Sequence, residues 1–198
     1  NEVMSLEDFI RKQYLKGDEY YRADNFLNNR PGTKYKYSNM GANIAALIIE
    51  KATGVPYKEF VKREILEPLK MNNSDWPSKE FNPKNISSLY WYGYLMPKGD
   101  LITYPDGNLM TNIEDFSTYF LTVIKGYLGE SNLLSAKSYK KMLHEPASET
   151  TKKAVFWTVD SEKIGHSGSD LGLLTHAYFF KENGDGIVVF VNTSDTKN

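Results

Sequence analysis

Two strand-like runs near the C-terminus place the strongest constraint on the fold. Leu173–Phe180 and Ile187–Asn192 are rich in β-branched and aromatic side chains, and the turn-forming sequence Glu182-Asn183-Gly184-Asp185-Gly186 lies between them. This arrangement is typical of a β-hairpin. A weaker run, Ala154–Val159, precedes it. The pattern therefore predicts antiparallel strands over residues 154–194.

The sequence before this region shows helical periodicity instead. The capping box Ser5-Leu6-Glu7-Asp8 predicts a short helix over 5–15. The run Met40–Ala52 is apolar nearly all round, which is typical of a buried helix, and Gly54 suits its C-terminal cap. Residues 5–145 are thus predicted to be mainly helical, with further helices beginning near Pro56, at the capping box Thr111-Asn112-Ile113-Glu114 and at Ser135. The fold class is α+β, and we expect residues 1–198 to form a single domain.

Composition excludes several classes of function. The chain carries 24 Lys and Arg against 25 Asp and Glu, so its net charge of −1 gives no electrostatic reason to expect a nucleic-acid partner. The absence of cysteine excludes disulfides, thiolate metal sites and a cysteine nucleophile. The 3 histidines are scattered and predict no metal site. No apolar run reaches the length of a membrane span.

The polar triplet Tyr37-Ser38-Asn39 opens the apolar helix, just after the turn signal Pro31-Gly32. In an extended segment successive side chains point to opposite sides, so Tyr37 and Asn39 are expected to face one way and Ser38 the other. A phenol and a carboxamide aimed at one space are an acid or base and an orienting group. A phenol with a pKa near about 10 needs a nearby cation, from Lys or His, to act as a base at neutral pH.

A second polar stretch, Gly165–Gly172, lies between two strand candidates. Small residues around His166 allow another backbone or a ligand to approach closely. His166 is a candidate cation or hydrogen-bond donor for an anionic substrate group, and the Ser169 amide is a candidate oxyanion-hole donor. The alternative is a glycine-rich hairpin with a structural histidine, which this stretch alone favours.

The long excursion over residues 70–100 contains the aromatic cluster Tyr90-Trp91-Tyr92-Gly93-Tyr94. Functional loops of this length often form the wall of a cleft. Local packing that holds the excursion down explains the cluster equally well, so both interpretations stay open.

Together, these motifs resemble those of the serine β-lactamase and penicillin-binding-protein superfamily, closest to its branch of class C β-lactamases, esterases and D-aminopeptidase-like hydrolases. Tyr37-Ser38-Asn39 resembles the Tyr-x-Asn motif, and Gly165-His166-Ser167-Gly168 resembles the third motif in its His-x-Gly form. Segments similar to the family's intervening sequence extend the resemblance from about residue 5 to residue 194: Ile48–Gly54, Ile65–Met71 and Asp106–Phe116.

The resemblance implies a β-lactamase/transpeptidase-like fold and a serine hydrolase that forms an acyl-enzyme. The substrate would be an ester, a D-amino-acid peptide or a β-lactam. Tyr37 would be the general base or proton shuttle, and Asn39 would orient the substrate amide and the catalytic lysine. No metal or organic cofactor is implied, and the resemblance favours an extracytoplasmic location.

The same resemblance assigns roles to the second motif. His166 would occupy the place where many relatives carry lysine. Ser167 and Gly168 would line the edge strand that binds substrate, and the Ser169 amide would be the second oxyanion donor. Histidine at this place weakens the implication of β-lactamase activity and fits the esterase and peptidase relatives better.

A larger departure from the family pattern is the nucleophile. The family's Ser-x-x-Lys motif precedes Tyr-x-Asn, and nothing before Tyr37 matches it. The one Ser-x-x-Lys in the chain, Ser138–Lys141, follows Tyr37. On a helical wheel Lys141 points away from the apolar side, whereas a catalytic lysine needs desolvation or a cationic neighbour. We interpret Ser138 and Lys141 as a surface coincidence.

The family's N-terminal strands and closing helix are not visible either, so we expect an incomplete domain, a fragment that lacks both flanks of its sheet. An exposed sheet edge invites pairing, and we expect association through it, either with a second copy or with the missing segment. Two other hypotheses remain beside the enzyme: a catalytically silent binding or sensor domain with the same fold, and an unrelated α+β domain.

Overall fold

The computed structural model describes residues 4–77, 83–97, 99–131, 133–144 and 154–194. They divide into two compact units. The first comprises Asn1–Pro31, Lys36–Lys79 and Gly99–Met110, and the second comprises Gly32–Tyr35, Glu80–Lys98 and Thr111–Asn198. Residue 145, where the predicted helical region ends, lies outside the described residues. The organisation as a single domain stays a prediction.

The first unit begins with the helix that the capping box predicted. Helix α1 spans Leu6–Tyr14, and the Oγ of Ser5 accepts a hydrogen bond from the Asp8 amide at 3.0 Å. The same hydroxyl donates to the Asp8 carboxylate at 2.7 Å. Leu6 and Ile10 lie on the buried side of α1 and pack with Ala46 of the next helix.

Helix α2 spans Asn39–Thr53, and Gly54 ends it in the left-handed conformation with φ of 69°, as predicted. The expectation of burial all round is wrong. Asn43 and Ala46 are buried, whereas Ile48 is 61 % exposed. The reason is that α1, the following helix and the turn Tyr104–Asp106 contact one side of α2 within this unit.

Helix α3 spans Tyr57–Val61 and continues as a wider π-helical turn over Lys62–Leu66. The Glu50 carboxylate anchors its start, because Oε1 accepts hydrogen bonds from the Tyr57 amide at 2.8 Å and from the Tyr104 hydroxyl at 3.3 Å. An acidic group at this end also complements the helix dipole. The rings of Tyr57, Trp76 and Tyr104 pack around this point.

Two further helices and a sheet form the core of the second unit. Helix α4 spans Ile113–Tyr127 and is capped by Asn112, and α5 spans Ala136–Leu143 and is capped by Ser135. Helix α5 begins where the sequence predicted, whereas the cap of α4 is Asn112 and not Thr111, one residue later than the predicted capping box places it. Their apolar sides enclose one cluster with the sheet: Phe120, Val123, Ile124, Tyr139, Leu143, Ile164, Ala177 and Phe179.

The predicted antiparallel sheet is confirmed, and in the described part of the chain it has four strands, paired in the order Thr158–Val159 (β3), Lys163–Asp170 (β4), Leu173–Phe180 (β5) and Gly186–Val191 (β6). Strand β5, Leu173–Phe180, has the predicted bounds, and β6, Gly186–Val191, begins one residue earlier than predicted. Strand β4 spans Lys163–Asp170. Strand β3 spans Thr158–Val159 only, so the run Ala154–Val159 was predicted too long. Phe156 has a φ of 61°, which interrupts extended backbone at that residue.

A small hairpin in the second unit was not predicted as strand. Strand β1, Tyr90–Trp91, pairs with β2, Tyr94–Leu95, through the turn residues Tyr92 and Gly93. Both turn residues have positive φ, 50° and 79°, as a two-residue type I′ turn requires. Tyr90 also bridges to Thr193, just after β6. Within the described part of the chain, no helix is long and apolar enough to cross a membrane.

Candidate active site

The Tyr37-Ser38-Asn39 triplet lies where α2 begins. Ser38 is extended, with φ of −154° and ψ of 116°, and its Oγ accepts a hydrogen bond from the Gly41 amide at 3.2 Å. Ser38 is therefore the N-cap, and Asn39 is the first residue of the helix. Tyr37 precedes the cap and is 59 % exposed. The Ser38 side chain is therefore used to cap α2, and its neighbours Tyr37 and Asn39 carry the candidate catalytic groups.

One polar residue of this region escaped the sequence reasoning. Asn43 lies one turn after Asn39 and is fully buried. Its Nδ2 donates hydrogen bonds to the Asn39 carbonyl at 3.3 Å and to Oδ2 of Asp106 at 2.6 Å. The available signal was the polarity of Asn43, since it is the one polar side chain in the apolar run Met40–Ile49.

The turn that carries Asp106 is held by the aromatic cluster of the first unit. The indole Nε1 of Trp76 donates to the Tyr104 carbonyl at 3.2 Å, and the Lys58 ammonium lies 4.4 Å from the centre of the Tyr104 ring. The pKa of the Tyr104 phenol is raised, first by burial and then by the charge of Glu50. Tyr104 is therefore a neutral hydrogen-bond donor to that carboxylate at physiological pH.

The second motif lies within a strand, not in a glycine-rich turn. His166, Ser167, Gly168 and Ser169 all belong to β4, and the turn to β5 is formed by Leu171 and Gly172. The stretch Gly165–Gly172 is therefore part of a glycine-containing β-hairpin, as that alternative describes, and the role of His166 stays a prediction. The strand extends through the motif because every residue from Lys163 to Asp170 pairs with a partner on β5.

Alternation along β4 separates these four residues into two pairs. His166 pairs with Ala177 and Gly168 with Thr175, on the same face as Ile164. Ser167 and Ser169 lie on the opposite face. All four motif residues are exposed.

One edge of β4 is open beside the motif. Among the residues that the structure describes, β3 pairs only with Ile164 and Gly165. From Ser167 to Asp170, β4 thus has a described strand on one side alone. The backbone geometry of this segment is that of a strand edge, which another extended chain can join.

Each motif is positioned within its own unit: Tyr37 and Asn39 in the first, and His166, Ser167, Gly168 and Ser169 in the second. Ser138 and Lys141 are both exposed, on a helix whose buried side carries Tyr139 and Leu143. The Ser138 and Ser135 hydroxyls lie 2.9 Å apart. Their exposure agrees with the interpretation of this Ser-x-x-Lys as a coincidence. No cluster that could hold a metal occurs among the described residues.

The aromatic cluster forms a hairpin with a tethered base and exposed rings. The Tyr90 amide donates to the Asn192 carbonyl at 3.0 Å, and Asn192 Nδ2 donates to the Ser88 carbonyl at 3.1 Å. Tyr94 is nevertheless 73 % exposed and Trp91 is 40 % exposed. Hydrogen bonds to Asn192 and from its side chain therefore tie the base of this hairpin within the second unit.

Comparison with known proteins agrees with this architecture. The family model described as Beta-lactamase matches residues 7–198. Protein flp of Staphylococcus aureus (strain COL) is 24 % identical over 198 residues, which cover 94 % of this chain and 37 % of that protein. The chain thus spans little more than a third of this relative.

Solved structures show the same fold. A D-amino acid amidase from Ochrobactrum anthropi SV3 superimposes with a TM-score of 0.72 at 15 % identity, covering 100 % of this chain and 58 % of that one. The octameric penicillin-binding protein homologue from Pyrococcus abyssi gives 0.67 at 23 % identity, covering 96 % and 48 %. The family model matches nearly the whole chain, and the helices and antiparallel sheet correspond to these folds. The chain belongs to the Beta-lactamase family.

Proposed function

We propose that the parent protein is a serine hydrolase that acts through an acyl-enzyme, with Tyr37, Asn39 and His166 as its catalytic residues on this chain. The observation that carries the proposal is the Ser38 cap, which lies between Tyr37 and Asn39 in the sequence and places both residues at the start of α2. In a chain of the Beta-lactamase family, that arrangement fits the Tyr-x-Asn motif. The nucleophilic serine would lie outside this chain.

The proposed reaction has two steps. The serine oxygen attacks the carbonyl carbon of the substrate while its proton passes to the base, with Tyr37 as base or shuttle. Collapse of the tetrahedral intermediate breaks the bond to the leaving group, which takes up that proton, and leaves an acyl-serine. Water then attacks the acyl-serine by the same proton path in reverse, which releases the acid and restores the serine.

The remaining motif residues would bind and polarise the substrate. Asn39 would orient the substrate amide and the catalytic lysine, and His166 would supply a cation or a hydrogen-bond donor to an anionic group. The open edge at Ser167 and Gly168 would receive the substrate backbone. The Ser169 amide would donate to the oxyanion, where charge develops in the transition state.

The substrate would be an ester, a D-amino-acid peptide or a β-lactam. Histidine at position 166 favours the first two classes. A D-amino acid amidase among the structural neighbours supports the peptide class in particular. The experiment that tests the mechanism is steady-state hydrolysis of an activated ester and of a D-amino-acid amide by the parent and its Tyr37→Phe variant. We expect kcat to fall by a factor of about 10² to 10⁴, the usual contribution of a general base. Unchanged kinetics would remove Tyr37 from the mechanism.

A catalytically silent binding or sensor domain is the second candidate function. The observation that favours it is the exposure of both Ser138 and Lys141. In the described part of this chain, no Ser-x-x-Lys lies in surroundings that would activate its lysine. A Ser-x-x-Lys motif upstream of residue 1 in the parent would favour the serine hydrolase over the silent binding or sensor domain.

Sheet pairing is the proposed mode of association, either with a second copy of the chain or with a further segment of the parent. Among the described strands, β6 pairs with β5 alone, so its other edge is available. Ile187 and Val189 are 57 % and 41 % exposed, while Val188 on the opposite face packs on the core. A strand that is apolar on both faces is typical of a sheet covered on both sides. A strictly monomeric, well-folded chain in size-exclusion chromatography would exclude pairing with a second copy. Wild-type activity in a parent whose additional segment cannot pair with the sheet would exclude pairing with that segment.

A further inference from the structure

The buried amide of Asn43 connects the start of α2 to a separate segment of the first unit. Its Nδ2 donates to the Asn39 carbonyl, four residues earlier, and to the Asp106 carboxylate, 63 residues later. Both partners can only accept at these atoms, which fixes the orientation of the amide group. Asn43 therefore makes a directional link rather than an adaptable polar contact.

The amide oxygen of Asn43, in contrast to its Nδ2, makes no hydrogen bond within the described part of the chain. Oδ1 of Asn43 is buried and accepts no hydrogen bond from any residue that the structure describes. A buried acceptor without a donor costs stability, and an apolar side chain of the same shape would avoid that cost. Local choices that oppose stability are concentrated at functional sites. Asn43 lies one turn from Asn39, which is the place where such a choice is expected.

Asp106 gives the link a rigid support. It ends the turn Tyr104–Asp106, whose first residue is held by the Trp76 indole through its carbonyl and by Glu50 through its hydroxyl. The ends of helices fray unless they are held. The first turn of α2 is held on one side by the Ser38 cap and on the other by Asn43, which is bonded to this support.

We infer that Asn43 and Asp106 are positioning residues: they hold the first turn of α2 so that Asn39 and Tyr37 keep the geometry that catalysis requires. The inference rests on the proposed function, because it assigns these residues to the same acyl-transfer reaction. Positioned groups need this kind of supporting contact to work at full rate.

The test uses the parent protein and the variant Asn43→Leu. Leucine keeps the branching and the number of side-chain heavy atoms but donates no hydrogen bond. We expect kcat to fall at least about tenfold with KM nearly unchanged, while the melting temperature stays equal or rises because the orphan acceptor is gone. The single variant Asp106→Asn keeps an acceptor for Asn43, so it should retain most of the wild-type kcat. Asn25→Ala removes another amide that donates to a backbone carbonyl, that of Gln13, and should leave kcat unchanged.

A second readout does not depend on activity. In the chain itself, hydrogen exchange at the amides of Gly41 and Asn43 should be faster in Asn43→Leu than in wild type, and unchanged in Asn25→Ala. Equal exchange in Asn43→Leu and wild type would overturn the link.

Wild-type kcat in Asn43→Leu, in an active parent, would overturn the positioning role and leave the proposed function intact. A parent without hydrolytic activity would overturn the proposed function together with the positioning role of Asn43 in catalysis. Amide hydrogen exchange would still show whether Asn43 holds the start of α2. The inference would also be overturned if Asn43→Leu had a lower melting temperature and Asp106→Asn lost as much of kcat as Asn43→Leu. Asn43 would then have a structural role only.

Discussion

Gly168 and Thr175 face each other across β4 and β5 so closely that a Cβ atom on residue 168 would lie 2.6 Å from the Thr175 hydroxyl oxygen. Real Cβ atoms do not approach an oxygen to this distance. A side chain at position 168 would therefore require Thr175 or the strand to move, which favours glycine there independently of any substrate.

The variant Gly168→Ala should destabilise the chain, because the new methyl group displaces Thr175 or the strand. Overpacking of this kind costs about 1–3 kcal/mol of the free energy of unfolding. Urea denaturation measures the loss, and the double variant Gly168→Ala/Thr175→Ala should recover most of it. An alanine variant as stable as wild type would show that Thr175 does not impose the glycine.

Gly126 provides a second steric test, inside α4. A Cβ atom at this position would lie 2.1 Å from the ring of Tyr139, which is 2 % exposed. Alanine in place of glycine ordinarily stabilises a helix interior by about 0.5–1 kcal/mol. Here we expect the opposite sign, a loss of about 1–3 kcal/mol, because the buried ring has little room to move.

The matched control for this test is Gly99→Ala, since a Cβ atom there would have no neighbour within 4 Å among the residues that the structure describes. Thermal unfolding should separate the two variants clearly. Equal melting temperatures for Gly126→Ala and Gly99→Ala would contradict the packing of Tyr139 against α4.

Local signals explain which parts of the fold were predictable. Ser5 and Gly54 act within one turn of a helix, and β5 was bounded correctly because its residues alternate between turns with strong glycine signals. The hydrogen bond between Asn43 and Asp106 joins residues 63 apart, and no local pattern encodes such a contact. The exposed side of α2 and the short β3 were mispredicted for a related reason: burial and pairing depend on what the neighbouring segments cover.

The candidate site divides in the same way. The sequence placed Tyr37 and Asn39 correctly beside a helix start, because the N-cap serine between them is itself a local signal. The backbone of His166–Ser169 was less predictable, since glycine and serine are common in both turns and edge strands. Pairing with β5 decides for the strand.

The aromatic cluster of the first unit predicts how stability depends on pH. Burial and the charge of Glu50 raise the pKa of Tyr104, and burial raises the pKa of Tyr57. In the unfolded chain both phenols ionise near pH 10. Above about that pH the unfolded state binds fewer protons than the folded state, so the free energy of unfolding should fall as the pH rises.

Urea unfolding at pH 8 and at about pH 10.5, followed by tryptophan fluorescence, measures this loss. The fall should be smaller in Tyr104→Phe than in wild type. Tyr94→Phe is the control, because Tyr94 is 73 % exposed. Identical losses in wild type and Tyr104→Phe would contradict the raised pKa of this phenol, which comes first from its burial and then from the charge of Glu50.

Covalent labelling tests the central claim, that this chain supplies the base and binding groups while another part of the parent supplies the serine. The parent and the chain would each be treated with a fluorophosphonate and with a penicillin, and the intact masses measured. We expect one fluorophosphonate adduct per parent molecule, on a serine outside residues 1–198, and no adduct of either reagent on the chain alone. A parent that remains unlabelled, or a stoichiometric adduct on Ser138 or any other serine of this chain, would contradict the central claim.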